Sequence, residues 1–246
     1  MLKKFSLIPI IIFISSACTS ETNSDQLKTK AIQADIKVSS NGDRAKVTVE
    51  LNAGNSFGSN IRLSDGDKII ASTSTEQKVL KEDIDILDID YEGRFGLTDD
   101  NTNYYIELKR QTEENAFSQV SLPLNFEFIT PTQISSINYN QDLFIQLDGS
   151  DPNSNTQLIL NYGCKNGISG TFSGSTNVSF INPSSTSMNL SELGIFLNED
   201  TKDFSDCSLD IIVERYREGE ISNSFSSNSR ILGIQTREIK NIKLIF

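Results

Sequence analysis

The sequence predicts an all-β protein: two tandem antiparallel β-sandwiches behind an export signal. Three observations predict it. Apolar and polar residues alternate with period two in run after run, clusters of Gly, Asn, Asp and Ser separate the runs, and no helical stripe exceeds two turns. Such alternation sets one face of a pleated strand on a core and the other in solvent.

The chain opens MLKKFSLIPIIIFISSACTS, with two lysines, an apolar stretch from Phe5 to Ile14, and small residues running into Cys18. That stretch is too short, and is interrupted by Pro9, to cross a hydrocarbon layer of about 30 Å as a helix. A charged start, short apolar core and small-residue end form an export signal. Ser15, Ser16 and Ala17 before Cys18 resemble the lipobox of bacterial lipoproteins, with Ser15 standing where the family prefers leucine. The resemblance implies a signal peptide over residues 1–17, acylation of Cys18 by chains such as palmitate, and retention at a membrane through lipid. Several acyl chains, at about 0.8 kcal/mol per buried methylene, hold far better than one. Thr19 stands where inner-membrane lipoproteins usually carry aspartate, so the resemblance favours the outer membrane of a Gram-negative cell, on its periplasmic or surface face.

Residues 1–17 contain Lys3, Lys4 and no acid, so the remaining 229 residues set 20 basic side chains against 33 acidic ones, a net charge of −13. Phosphate backbones and anionic headgroups are repelled by that balance, and no nucleic-acid partner is expected. The length suits two domains of about 100 residues each.

From residue 18 to 30 the sequence is polar and reads as a tether. A first domain is expected over 31–129. In RAKVTVELN, Ala45, Val47, Val49 and Leu51 share one face, while Arg44, Lys46, Thr48 and Glu50 share the other. Tyr104, Ile106 and Leu108 repeat the pattern, as do Val120, Leu122, Leu124, Phe126 and Phe128; Pro123, unable to donate to a ladder, puts this last strand at an edge. The break at FITPTQ opens a second domain over 130–246. It contains Leu143, Ile145 and Leu147, then Leu158, Leu160 and Tyr162, one strand around NVSFI in a Ser/Gly/Asn-rich stretch, and Leu209, Ile211 and Val213. SELGIFLNE is the best short helical candidate.

The two other cysteines continue these patterns. Cys164 extends the inward series of Leu158, Leu160 and Tyr162, and Cys207 begins that of Leu209, Ile211 and Val213. In an oxidising compartment they can pair, and two cysteines allow one intrachain connectivity. Antiparallel neighbours, or strands in facing sheets, would both bring them close enough. Here the second half resembles immunoglobulin-like domains with their buried inter-sheet disulfide, although Trp is absent and Ser205 stands where the tyrosine corner would be. As a whole the chain resembles uncharacterised lipoproteins of Gram-negative envelopes with tandem immunoglobulin-like β-sandwich domains, which implies a location and a fold.

Histidine is absent, so Ser-His-Asp and Cys-His pairs are excluded, and with both inner cysteines oxidised no soft metal ligand remains. No nucleophile elbow or phosphate-cradling glycine loop occurs. The acidic segment DIDYEGRFGLTD, residues 88–99, has oxygen-bearing side chains at the EF-hand positions 1, 3, 5 and 12 and glycine at 6: Asp88, Asp90, Glu92, Asp99 and Gly93. Its flanks, however, read as strands. Two readings stand: a solvent-facing acidic strand with a β-bulge near Ile86, or a β-type calcium site of Asp88, Asp90 and Glu92 with Asp99 or Asp100. LSDGDKI, with Asp65, Gly66 and Asp67, reads as a hairpin turn, and LDGSDPNSN as a polar loop bonding its own backbone. The expectation is a non-enzymatic envelope lipoprotein with no obligatory cofactor. It would bind or support an envelope protein partner; the alternative is a calcium-dependent adhesion or sensing module.

Overall fold

The structure, a computed structural model, describes residues 21–64, 66–84, 88–96, 100–167, 170–180, 184–195 and 204–246. Cys18, Asp65 and Asp99 lie outside the described residues, as does Ile86, where a bulge was expected. The strands in chain order are β1 (Glu21–Asn23), β2 (Ile32–Ser40), β3 (Ala45–Ala53), β4 (Asn60–Arg62), β5 (Lys68–Ser72), β6 (Gln77–Val79), β7 (Lys81–Ile84), β8 (Ile89–Phe95), β9 (Asn103–Lys109) and β10 (Ala116–Ser121). They continue as β11 (Phe128–Thr130), β12 (Ser136–Asn138), β13 (Asp142–Leu147), β14 (Asn155–Asn166), β15 (Gly170–Ser179), β16 (Ser185–Asn189), β17 (Phe204–Glu218) and β18 (Arg230–Ile245).

One long sheet runs β1-β4-β3-β2-β18-β17-β14-β15, with β8 also on β3, β7 on β8 and β12 on β18. Two smaller sheets, β10-β9-β5-β6 and β11-β13-β16, carry the remaining strands. Alternation decides what is buried. Val47, Val49 and Leu51 of β3 meet Tyr104, Ile106 and Leu108 of β9 in a first core. Leu158 and Leu160 of β14, with Leu209, Ile211 and Val213 of β17, meet Leu143, Ile145 and Leu147 of β13 in a second. The protein is an all-β sandwich fold, as its sequence pattern requires. Leu122 falls in the first core and Phe126 in the second, and Phe225 and Ile231, from far along the chain, also pack in the first.

Strand β18 joins the two cores. Its first half lies parallel to β2, with Arg230–Gln235 opposite Asp35–Ser40. Its far end places Ile242 and Leu244 in the second core, and nearly its whole length is antiparallel to β17. At the crossing, Arg215 of β17 is fully buried. Its guanidinium donates to the carbonyls of Leu124 at 3.0 Å and Gly149 at 2.8 Å, and lies 4.8 Å from the centre of the Phe126 ring. Arg237 approaches the same ring at 5.5 Å and bonds Glu127 Oε1 at 2.8 Å. Burial lowers the Arg215 pKa, and carbonyl acceptors with the ring's negative face offset the cost of desolvating the cation.

Several expectations change. The run from Val120 to Phe128 is not one strand: β10 ends at Ser121 and β11 starts at Phe128. Pro123 offers no N–H to continue the ladder, and Leu122 and Phe126 are drawn into different cores. The segment around 81–95 is a hairpin rather than one bulged strand, because β7 and β8 are antiparallel with Ile84 opposite Ile89. The tether expected over 18–30 is docked from Glu21 onward. β1 pairs with β4, and the buried Arg110 donates to Ser24 O at 2.6 Å and Leu27 O at 3.1 Å while bonding Asp67 Oδ2 at 2.8 Å. That Asp67 sits after Gly66, whose φ of +92° has the expected positive sign, but the turn leads from one sheet to another instead of closing a hairpin. A 3-10 turn over Leu190–Leu193 takes in the first three residues of SELGIFLNE, and residues 196–199 lie outside the described residues.

Cys164 and Cys207 form a disulfide with Cα atoms 4.1 Å apart. It links the neighbouring strands β14 and β17 of one sheet, at a register shift between Gly163 and Lys165, and so departs from the inter-sheet bond that an immunoglobulin resemblance implies. Asp206, at φ +48°, takes up the extra residue of the bulge. The bond closes a span of 43 residues, for which loop-closure entropy sets an upper contribution of about 4 kcal/mol. The double variant Cys164→Ser/Cys207→Ser is expected to lose about 2–4 kcal/mol in urea unfolding; an unchanged midpoint would show that the bond constrains nothing.

Candidate functional site

Of the acids singled out in the sequence, Asp90 and Glu92 lie on the outer face of the long sheet. Tyr91 and Val49 point to the core, so Asp90 of β8 and Glu50 of β3 point away from it. Register sets them directly opposite each other, and continues the row through Asp83 on β7 and Asp35 on β2 to Arg230 on β18. Four carboxylates therefore stand side by side across four strands with one guanidinium at the end. Like charges directly opposite are unfavourable. Arg230 relieves the end of the row, its Nη2 lying 2.6 Å from Asp35 Oδ2, whereas Asp35 Oδ1 is buried without a hydrogen-bond partner.

Oxygens of Glu50, Asp88 and Asp90 lie within 4.8 Å of one another. Of the expected calcium ligands, the structure thus brings together Asp88 and Asp90 and adds Glu50. Glu92 turns instead to an ion pair with Lys46, and Asp100 accepts from Asn125 N at 2.8 Å. An EF-hand geometry does not form, because Asp90, Glu92 and Gly93 lie within strand β8 and its ladder with β3. Glu50 belongs to an outward series that the sequence makes plain, but nothing in either segment signals that β3 and β8 pair.

The row perturbs its central member. Burial, then the charges of Asp88, Glu50 and Glu92, push the Asp90 carboxyl up to about 6 against the pull of Lys46. The polar loop of LDGSDPNSN behaves oppositely. Asp151 is 1% exposed and accepts from Leu124 N at 3.0 Å, Asn153 N at 3.1 Å and Ser154 Oγ at 2.8 Å, with Arg217 paired beside it. Burial pushes its carboxyl up, but these donors outweigh burial and hold it down at about 2. The loop bonds its own backbone, as its composition suggested, and also fastens β17.

A separate groove of about 500 Å³ lies between the outer face of β9 and β10 and the segment 220–223, with Tyr105, Phe117 and Ile221 among its lining. It holds none of the acids discussed above.

A carboxyl raised in the folded state binds protons more tightly there than in the unfolded chain. Its stabilising effect is therefore complete below the unfolded pKa of about 3.9, and is lost as pH rises through about 6. Asp90→Asn should raise the melting temperature at pH 7.5 and flatten the gain otherwise seen between pH 7 and pH 5. Thermal melts across that range check it, and parallel pH profiles for the two proteins would remove the like-charge account.

No protein-family model and no curated protein sequence matches the chain. Among solved structures it is similar to the crystal structure of Dpr11 IG1 bound to DIP-gamma IG+IG2, with 8% identity, 87% of this chain and 99% of that one covered, and a TM-score of 0.24. It is also similar to fibronectin(III)-like modules of Clostridium thermocellum CbhA, at 10% identity, 86% and 91% coverage and a TM-score of 0.23. A DUF4785 family protein of Legionella pneumophila shares 9% identity over 74% of this chain and 51% of its own, with a TM-score of 0.25. At these scores the likenesses add no weight of their own, and the fold rests on the strand ladders and cores described above.

Proposed function

We propose that the chain is a non-enzymatic lipoprotein of the Gram-negative envelope, held at the outer membrane by acyl chains on Cys18, whose β-sandwich body binds or supports another envelope protein. The observation that carries this reading is the Cys164–Cys207 disulfide. Such bonds belong to oxidising compartments, which agrees with the export signal ahead of Cys18. Histidine is absent from the whole chain, which removes the commonest general base. Among the described residues no helix is long and apolar enough to cross a membrane, so lipid is the attachment that the sequence supports. Affinity capture of the full-length chain from membranes, beside a Cys18→Ser form, tests the proposal. The unmutated chain should partition with membranes and retain a defined envelope protein, whereas the Cys18→Ser form should be soluble. Equal partitioning refutes the anchor, and the lack of any retained protein in both forms refutes the binding role.

A second reading is favoured by one observation, the convergence of Glu50, Asp88 and Asp90: a calcium-dependent adhesion or sensing module. Calcium neutralising mutually repelling carboxylates would strengthen the β3–β8 ladder. The unmutated protein should then melt several degrees higher in calcium than in chelator, and Asp88→Asn with Asp90→Asn should abolish the difference. Coincident melting curves in calcium and chelator dispose of this reading.

A further inference from the structure

Strand β15 ends the long sheet and pairs, among the described residues, with β14 alone. Its ladder begins where Phe180 N donates to Thr156 O at 3.2 Å. Alternation then turns the N–H and C=O of its even-numbered residues toward β14 and those of Thr171, Ser173, Ser175, Asn177 and Ser179 outward. These five residues are exposed. The result is an open backbone edge ten residues long, Gly170–Ser179.

Three other edges of this protein are guarded. β7 carries Lys81, Glu82 and Asp83, β6 carries Lys78, and β10 is bridged at Gln119 by Glu220. Charge and covering are the usual devices against edge pairing. Among the described residues β15 has neither: nothing pairs with its outer edge, and no residue between Lys165 and Glu192 is charged, in a chain with 22% charged residues. Even its glycine is supported, since the Tyr162 ring lies where a Cβ of Gly174 would fall and covers the strand from the inner side. An edge kept long, supported and neutral favours pairing.

We infer that β15 is a homodimerisation edge, which pairs antiparallel with β15 of a second copy about a two-fold axis at Ser175. The sequence is self-complementary in that register. On the outer face Ser175 meets itself, Ser173 meets Asn177 and Thr171 meets Ser179, all polar and uncharged. On the inner face Gly174 meets Thr176 and Phe172 meets Val178, an aromatic against a β-branched side chain, among the favourable cross-strand pairs. The net charge of −11 makes two copies repel on the whole, so a neutral edge is a place where approach costs little. The inference is independent of the ligand and of the anchor.

The test uses the full chain with a short bismaleimide reagent. Residues directly opposite in a hydrogen-bonded antiparallel pair have Cα atoms about 5.5 Å apart. Ser175→Cys should therefore cross-link to a dimer. Thr171→Cys, about 27 Å from its own counterpart in this register, should not, although a mixture of Thr171→Cys and Ser179→Cys chains should. The unmutated chain run alongside accounts for Cys18. Ser175→Pro removes an outward N–H and no bond to β14, so it should leave the melting temperature nearly unchanged while halving the sedimentation mass at micromolar concentration. Failure of Ser175→Cys to cross-link, equal cross-linking at 171, or an unmutated chain sedimenting at one-chain mass would each overturn the inference.

Discussion

The ladder between β17 and β18 is the constraint on which the other parts of the structure depend. Both strands exceed the thickness of one sandwich, so they leave one core and enter another without a break. Ile231 is committed to the first core, and Ile242 and Leu244 to the second. Near the midpoint of this ladder the chain places Arg215 and Arg237, both against the ring of Phe126 at the margin of the second core. The arginine fork donates to carbonyls of the 124–125 and 149 loops and so ties both loops to β17. Two residues along β17, Arg217 forms an ion pair with the buried Asp151. Two cores joined only by a linker would be free to swing; these share strands, a buried cation and a ring.

Electrostatics on the opposite end of the sheet works against the fold. The row of Asp83, Asp90, Glu50 and Asp35 concentrates negative charge where register, rather than sequence proximity, brings it together. The hydrophobic alternation that fixes β3 against β2 and β8 leaves no freedom to slip, because a slip by one residue would expose Val47, Val49 and Leu51. Repulsion is tolerated because burial on the other face outweighs it.

Much of this was legible. Period-two runs located β3, β9, β13, β14 and β17 with the correct inward residues, since burial of one strand face is a local property. The cysteines announced their phase in the same way. What stayed hidden was pairing between distant segments. Nothing in the strands IDYEGRF and AKVTVELNA says that they are neighbours, so Glu50 could not be added to Asp88 and Asp90. Phe225 and Ile231 read as parts of the second half because chain order gives no sign that the β17–β18 connection folds back, with Ser226 N bonding Ile32 O at 2.8 Å. The polar segment before Ile32 read as a tether because its partner, Arg110, is remote in sequence and its bonds go to backbone carbonyls that any residue could supply.

If the chain is anchored as proposed, docking of that segment would limit how far the body could stand from the membrane. With acyl chains on Cys18, only three peptide steps separate the lipid attachment from Glu21 of β1, a reach of at most about 10 Å. That distance is comparable to the screening length at physiological ionic strength, about 8 Å. An acidic body on so short a leash would feel the charge of the headgroups directly, and would be tilted by them in a fixed sense instead of roaming above the surface.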